Sequence, residues 1–578
     1  MSSNKHYFDE RLSIWTIQEF LCNALAMKTP IRSILLLSLI SIAMIWPNAH
    51  AVVPPPDGGY PNFTTAEGHS ALKSLTTGAG NTALGWSSLF SATTASFNTG
   101  IGAGTLALNT ADQNTATGAA ALLSNSSGFQ NTANGALALL FNTTGSFNTA
   151  IGDSALYNNI DGLGNTAIGV SALESNTTGS FNTAAGNGAL LNNSTGSNNT
   201  ATGTGALGAN TTADDNTATG FQALFTNSAG IRNTATGARS LSSNTSGNSN
   251  TATGIDALFS NTAGFSNTAD GDGALSANID GDFNTAVGAS ALGFNTTGND
   301  NTAVGTGALS TNSIGTNNCA LGSRALEFNG ADNNTAIGIE TLNGNTTGLQ
   351  NTAVGHSALF SNSNGTNNTA VGNVALLNSA GDGNTAIGAS AGLNLTTASN
   401  TICIGILGQN ISNACFIGNV FAATSPSGIG VLVNANGQLG TVTSSLRFKE
   451  NIKPMDHASD ALYALRPVSF CYKNEIDPAG ISQLGLVAED VEKVNPDLIV
   501  RDEEGKPYSV RYDQVNAMLL NEFLKEHGTV KDQGDAIEDL KREVANLAAL
   551  VKEQAAQIQR LSARVQDDDA ASQVVLNP

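Results

Sequence analysis

The feature that most constrains this 578-residue chain is a repeat of 17 residues, occasionally 16, that fills more than half of its length. Eighteen units between Asn81 and Leu376 begin with Asn, followed almost always by Thr and Ala. A Gly comes four residues and a Leu eight residues after each of these Asn residues. Because one unit of this size cannot bury its own apolar residues, the fixed period indicates units stacked around a shared core.

Within each unit, the stretch Asn-Thr-Ala-x-Gly alternates between two faces. Asn, Ala and Gly fall on one face of a strand, and Thr and x fall on the other. The Leu recurs in all eighteen units, so we expect a continuous internal Leu ladder. The segments between one Leu and the next Asn, such as residues 142–145, have the composition of turns. The pattern predicts a mainly β protein, with a β-solenoid or β-roll of about twenty coils at a spacing of roughly 4.8 Å. It leaves open whether one chain closes each coil or three chains share it.

Two resemblances bear on the outer face of the repeat. The strings Asn-Thr-Ala-Ile-Gly resemble the head repeats of trimeric autotransporter adhesins, although those repeats are shorter. Five units instead pair threonines two residues apart, a spacing that ice-binding solenoids use. These pairs are Thr115/Thr117, Thr200/Thr202, Thr217/Thr219, Thr234/Thr236 and Thr251/Thr253. Because other units place Ile, Val, Asp or Asn at the second position, ice binding is the third of our functional hypotheses.

Composition excludes several classes of function. Between residues 52 and 443 the only basic residues are Lys73, Arg232, Arg239 and Arg324, so a nucleic-acid surface is not expected. The net charge of −21 favours solubility and self-repulsion. Acidic residues in the repeat hold no fixed position, which argues against a glycosidase with placed carboxylates. The five cysteines are scattered, and we predict no metal site, no cofactor and no disulfide framework.

The N-terminal region has the pattern of a secretory signal. Lys28 and Arg32 precede the apolar run 34–46, and small residues stand where a signal peptidase would cut after Ala51. The signal begins naturally at Met27, which leaves open whether Met1 or Met27 is the true start. We predict an exported protein at the cell surface or in the extracellular space. A retained, signal-anchored membrane form is the alternative.

After the repeat, four short strings follow in order. They are Ser-Ser-Leu-Arg-Phe-Lys-Glu-Asn-Ile at 444–452, Leu-Arg-Pro-Val-Ser-Phe at 465–470, Gly-Leu-Val-Ala-Glu-Asp-Val at 485–491, and Val-Arg-Tyr at 510–512. Together they resemble the endosialidase-type intramolecular chaperone family, peptidase family S74, which closes phage tailspikes and tail fibres. The resemblance implies a small α+β domain. Three copies of this domain would hold three β-rich chains in register and then cut themselves off.

The resemblance also implies a cleavage site. Carried onto this chain, the scissile bond is Thr443–Ser444, with Ser444 as nucleophile and Lys449 as its base. A hydroxyl is a poor nucleophile until a base takes its proton, and a Lys can do so if desolvation lowers its pKa. Arg447 also matches the family pattern, as a structural residue or oxyanion partner. Ser445 stands where such domains commonly have Asp, so cleavage remains an open question, and the chain is at most a single-turnover, self-cleaving serine peptidase.

The C-terminal segment has heptad spacing. One heptad position holds Ile537, Val544, Val551, Ile558 and Val565, and the other holds Leu540, Leu547, Gln554 and Leu561. This pattern predicts a coiled coil. β-branched residues paired with Leu favour two strands by the simple rule, whereas the family resemblance implies three, which we adopt. Packing of this seam against the chaperone domain of the same chain is the alternative.

These observations divide the chain into seven segments. They are a leader with signal peptide (1–51), a Pro/Gly linker (52–76), the repeat array (77–420), a connector (421–443), the chaperone domain (444–530), a coiled coil (531–567) and a tail (568–578). The leading hypothesis is an exported, homotrimeric, adhesin-like fibrous protein with a cell-surface or glycan receptor. A phage-like tail fibre or tailspike that binds a receptor is the alternative.

Overall fold

The structure is a computed structural model that describes residues 61–434, 436–502 and 504–573. The chain divides after Ala423 into two compact units, which are described separately below. The predicted signal peptide and both candidate start residues lie outside the described residues.

The first unit is a β-solenoid of 21 turns formed by a single chain. Its 22 strands are three residues long, and each pairs in parallel with the next along the chain. The strands are β1 Thr65–Glu67, β2 Thr82–Leu84, β3 Thr99–Ile101, β4 Thr115–Thr117, β5 Thr132–Asn134, β6 Thr149–Ile151, β7 Thr166–Ile168, β8 Thr183–Ala185, β9 Thr200–Thr202, β10 Thr217–Thr219, β11 Thr234–Thr236, β12 Thr251–Thr253, β13 Thr268–Asp270, β14 Thr285–Val287, β15 Thr302–Val304, β16 Cys319–Leu321, β17 Thr335–Ile337, β18 Thr352–Val354, β19 Thr369–Val371, β20 Thr385–Ile387, β21 Ile402–Ile404 and β22 Cys415–Ile417. The predicted solenoid is confirmed, and its first strand lies within the segment predicted as a linker.

The core of the solenoid is built from small residues and one Leu per coil. In the coil that begins at β6, Ala150 in the strand and Ala155 beyond it are fully buried, as is Leu156. The Leu of every coil from Leu89 to Leu376 is likewise fully buried, which confirms the predicted Leu ladder. Thr and the variable residue of each strand face outward, as the alternation predicts.

Two columns of buried Asn side chains run alongside the Leu ladder. In the first, the Asn148 backbone N–H donates to Asn131 Oδ1 at 3.0 Å, and its side-chain amide donates to the Gly162 carbonyl at 2.8 Å. In the second, Asn159 Nδ2 donates to Asn142 Oδ1 at 2.7 Å. The sequence predicted only a turn for the second column. Hydrogen bonds between neighbouring coils pair most of these buried amide atoms, which limits the cost of unpaired polar groups and binds the coils together. Asn362 Oδ1, in the second column, is an exception and has no partner in the described part of the chain.

Each coil turns through left-handed backbone. In the coil of β6, Ser154 has φ 57° and Leu156 has φ 53°. An L residue in this conformation costs roughly 1–2 kcal/mol, whereas full burial of a Leu side chain contributes about 1.5–3 kcal/mol. Leu is therefore tolerated at a turn position because its side chain is buried there.

The second unit is a small α+β domain that continues into a long helix. Its elements are β23 Leu432–Val433, β24 Leu439–Gly440, a 3-10 turn Leu446–Phe448, a longer 3-10 helix Asp456–Ala464, β25 Val468–Phe470, β26 Gln483–Gly485, α1 Ala488–Val494, a 3-10 turn Pro496–Leu498, β27 Ile499–Arg501, β28 Pro507–Val510 and α2 Tyr512–Gln573. The strands form three antiparallel pairs, β23–β24, β25–β26 and β27–β28. The buried core of this unit is small and comprises Val491, Leu498, Ile499, Val510, Val515 and Met518.

Helix α2 is continuous over 62 residues and passes through the boundary predicted at residue 530. Its length is about 93 Å at a rise of 1.5 Å per residue. The heptad residues are exposed, from 51% at Ile537 to 68% at Ile558, so the alternative in which the seam packs against its own domain is wrong. The coiled coil itself stays a prediction. Within the described residues, no helix has the length and apolar character needed to cross a membrane.

Candidate active site

The two residues predicted to cut the chain lie together on a short turn. The 3-10 turn Leu446–Phe448 reverses the backbone, and the Lys449 N–H donates to the Leu446 carbonyl at 3.1 Å. This brings the Lys449 ammonium back to Ser444, where Nζ lies 3.2 Å from Oγ. The spacing of five residues therefore suits a hydrogen-bonded Ser–Lys pair.

The environment of this pair determines what it can do. All residues from 441 to 450 are exposed in the single chain. A hydrated Lys is charged and can donate a hydrogen bond to Ser444, but it can accept the hydroxyl proton only when neutral. Desolvation favours the neutral form of a Lys in general. The geometry of a dyad is thus present, and base function requires a surface that covers it.

The turn that carries the dyad also exposes two apolar side chains, against which a covering surface would pack. Leu446 is 75% and Phe448 is 57% exposed on the same turn. The Arg447 guanidinium lies over the Phe448 ring, 4.5 Å from its centroid. A cation on a ring face is attracted by the ring quadrupole, so this contact supports a structural role for Arg447.

The other three sequence motifs meet in one fold. Arg466 of the second motif donates to Asp490 Oδ2 of the third at 2.9 Å, and Lys493 donates to Oδ1 at 3.0 Å. Hydrogen bonds from Arg466 first and Lys493 second lower the pKa of Asp490. The Leu486 N–H donates to the hydroxyl of Tyr512, the last residue of the fourth motif, at 3.0 Å. Motifs that are far apart in the sequence therefore form one structural unit.

A further polar cluster, which the sequence did not predict, joins α2 to the longer 3-10 helix. Glu522 on α2 accepts hydrogen bonds from the buried Ser459 hydroxyl, from Tyr463 Oη at 2.8 Å and from Lys525 Nζ at 2.7 Å. Lys525 Nζ also lies 2.7 Å from Asp460 Oδ1. The Lys525 hydrogen bond is the main cause that lowers the pKa of Glu522, and it likewise lowers the pKa of Asp460.

This cluster makes the attachment of α2 sensitive to acid. Carboxylates with lowered folded pKa values stabilise the fold above their ordinary pKa and lose that contribution as pH falls through the folded value. The pKa of Lys525 is raised, chiefly by Asp460 and then Glu522, so its contribution is lost only as pH rises above that raised value. We therefore expect the packing of helix α2 against the longer 3-10 helix to become less stable from about pH 5 downward.

Glu522→Gln tests this expectation. At pH 7 the variant should unfold at a lower urea concentration than the native chain, followed by circular dichroism of helix α2. Its midpoint should fall less between pH 7 and pH 3, because one titrating carboxylate is gone. Glu526→Gln, one turn further along α2, is the matched control and should behave as the native chain does. An unchanged acid dependence in Glu522→Gln would contradict the role of the cluster.

A family comparison bears on the second unit. Residues 444–500 match the model of the family Peptidase_S74, chaperone of endosialidase. The match starts at Ser444, the predicted nucleophile, and spans the first three motifs, so the predicted resemblance is confirmed there. The chain matches no curated protein. The matched segment together with the β-solenoid suggests a tail-fibre-like protein with an intramolecular chaperone.

The cysteines are the other side chains that could bind a metal ion. Cys403 lies in the solenoid core, where burial raises its thiol pKa. Cys319 and Cys415 take the outward first position of β16 and β22, where most coils have Thr. Within residues 61–434, 436–502 and 504–573, no group of three or more His, Cys, Asp or Glu side chains is placed to hold a metal ion.

Proposed function

We propose that the C-terminal unit is an intramolecular chaperone that brings three copies of this chain together, aligns their solenoids and then releases itself by cutting the Thr443–Ser444 bond. The family match that begins at Ser444 carries the proposal. The cut chain would be an exported, adhesin-like surface fibre. A receptor-binding tail fibre is the second candidate, favoured by the same match because this family closes phage fibres.

The surface of the C-terminal unit supports self-association. Its buried core is small, whereas many large apolar side chains are exposed. The most exposed outside α2 include Leu446 at 75%, Tyr463 at 74%, Ile476 at 69%, Leu484 at 87% and Tyr508 at 75%. Association of copies would remove part of this apolar surface from water, which is favourable.

Helix α2 provides a second association surface. Val551 and Leu547 are 61% and 56% exposed along the heptad seam, and such seams are buried when helices form a coiled coil. Gln554 interrupts the apolar row with one polar layer, which can fix the register of associating helices. The seam therefore suits parallel copies of the same helix.

The repeat explains why a chaperone is needed. Successive coils are nearly identical, so copies that associate along their length can slip by one coil at little cost. Register is weakly specified wherever a pattern repeats without a distinguishing feature. An association domain at one end fixes the register for all coils.

The test measures the mass of the uncut assembly. Residues 52–578 carrying Ser444→Ala should sediment at three times the mass of one chain. Adding Val551→Asp places a charge in the seam and should reduce the assembly to smaller species. Adding Ala549→Asp instead, on the outer face of the same helix turn, is the matched control and should leave the mass unchanged. If the Ser444→Ala chain is a monomer, the proposal is wrong.

A further inference from the structure

An unbroken aliphatic row lies on the outer face of the last nine coils of the solenoid. The third residue of each strand points outward, and from β14 to β22 it is always Val, Leu or Ile. The row consists of Val287, Val304, Leu321, Ile337, Val354, Val371, Ile387, Ile404 and Ile417. Each of these residues pairs in register with the next, so they form one straight column. We call this column, with the strand faces around it, the aliphatic strip.

Earlier coils differ at the same position. From β4 to β13 the third strand residue is mostly polar or small, with Thr in four consecutive coils, β9 to β12, and Asp270 in β13. The in-register Thr pairs that suggested ice binding are therefore consecutive only over this short stretch. No strand residue from β14 to β22 is charged. Earlier aliphatic residues at this position occur only in two short runs, Leu84 and Ile101 in β2–β3 and Ile151 and Ile168 in β6–β7, so the long unbroken row belongs to the coils that directly precede the C-terminal unit in the sequence.

The size of the strip argues for a binding surface. Nine coils at roughly 4.8 Å span about 43 Å, and a three-residue strand is about 10 Å wide, which gives a strand face of about 430 Å². The aliphatic column shares this face with the column of first strand residues, which are mostly Thr. Leu321, Ile387 and Ile417 are each 46% exposed. The largest apolar patch of a soluble monomer has a size of this order and is often functional.

We infer that the aliphatic strip is the surface along which copies of this chain pack against one another, residue beside identical residue. This inference rests on the proposed function, because the C-terminal unit must first bring the copies together. A row of side chains with uniform pitch is complementary to an identical row, and the strip has no charge to repel a second copy. The one long unbroken row among the described coils lies next to the association unit in the sequence, which is where a contact propagated from that unit would begin.

The area of the strip also indicates whether it could hold two copies together without the C-terminal unit. At about 430 Å² per copy, it offers about half of the roughly 800 Å² that each partner buries in a standard interface. The strip therefore cannot hold the copies alone and depends on the C-terminal unit for its partners. The polar faces of β9–β13 lie outside the strip and can meet solvent or a receptor.

Thiol cross-linking tests this inference on the uncut chain, residues 52–578 with Ser444→Ala. Cys319, Cys415 and Cys471 are replaced by Ser, so that no exposed native thiol competes. One variant then carries Val354→Cys in the strip, and the matched control carries Thr219→Cys at the same outward position of β10. Both side chains point out of the solenoid, so neither substitution disturbs the core.

Under mild oxidation, Val354→Cys should give at least about tenfold more covalent dimer than Thr219→Cys, because paired thiols share a high effective concentration. Sedimentation of the same samples separates the two proposals. If the chains form trimers but Val354→Cys gives no more dimer than Thr219→Cys, the strip is not the contact surface and the proposed function stands. If the chains are monomers, both are overturned, because the strip then has no second copy to meet.

Discussion

Gly186→Ala is expected to destabilise the solenoid by about 4 kcal/mol or more, a loss at the extreme end for one residue. Gly186 has φ 142°, a region that L residues rarely adopt. A Cβ there would lie 2.5 Å from the carbonyl oxygen of Gly203 in the next coil. That oxygen belongs to backbone held on both sides by stacked coils, so it cannot move away without opening the stack.

Gly188→Ala, two residues further on, is the matched control. Gly188 has φ 61°, and a Cβ there meets nothing within 4 Å. Ala120 and Ser171 occupy the same position of other coils with φ 56° and 55°. The control should therefore cost no more than about 1–2 kcal/mol. Urea midpoints followed by circular dichroism compare the two variants, and equal midpoints would show that close stacking at Gly186 does not limit the fold.

The solenoid could be predicted from the sequence because two periods coincide. The alternation of residues in Asn-Thr-Ala-x-Gly fixes the faces of a strand, and the 17-residue period places each Leu above the last. Ala150 and Leu156 are buried where these periods require. The alternation and the 17-residue period both depend only on the spacing of residues along the chain, which can be read directly from the sequence.

The second Asn column could not be predicted in the same way. Asn142 and Asn159 lie in segments whose composition is that of surface turns, and they do form turns. Their side chains are nevertheless buried, because the turn of the next coil covers each of them. The left-handed Leu156 is a similar case, since local preference disfavours a bulky residue there and burial overrides that preference.

In the candidate site too, the contacts between residues close in sequence could be predicted, and those between distant residues could not. Ser444 and Lys449 are close in sequence and share a motif, and the structure places them 3.2 Å apart. Glu522 lies 63 residues from Ser459, and no motif or period connects them. Only the folding of α2 against the 3-10 helix brings that pair together.

The second large effect is the loss of self-cleavage. In the proposed reaction, Lys449 takes the proton from Ser444 Oγ, and Oγ attacks the Thr443 carbonyl carbon. The C–N bond breaks as the proton passes from Lys449 to the Ser444 nitrogen, which leaves an ester between Thr443 and Oγ. Water then hydrolyses the ester to the Thr443 carboxylate and a free Ser444 hydroxyl. Ser444→Ala removes the attacking oxygen and should abolish the fragment that begins at residue 444.

Substitutions of Lys449 and of Ser445 test the base role of Lys449 separately from the nucleophile role of Ser444. Lys449→Arg keeps a positive charge and hydrogen-bond donors but cannot become neutral in a protein, so cleavage should fall by about 100-fold or more. Ser445→Ala is the matched control and should still be cut. Mass spectrometry of the purified chains over time measures the fragment. Efficient cleavage in Lys449→Arg would contradict a base role for Lys449.

Cleavage should also depend on assembly, because the dyad is exposed in the single chain, and a Lys is an effective base only where water is excluded. Val551→Asp lies far along α2 from the dyad in sequence and leaves both catalytic side chains intact, yet it should suppress cleavage together with association. Ala549→Asp should preserve both. If Val551→Asp chains stay dissociated and are cut at the native rate, the dyad does not need the other copies. If cleavage is lost whenever association is lost, cleavage comes after assembly. The chaperone unit is then released only after the chains that it aligned have come together.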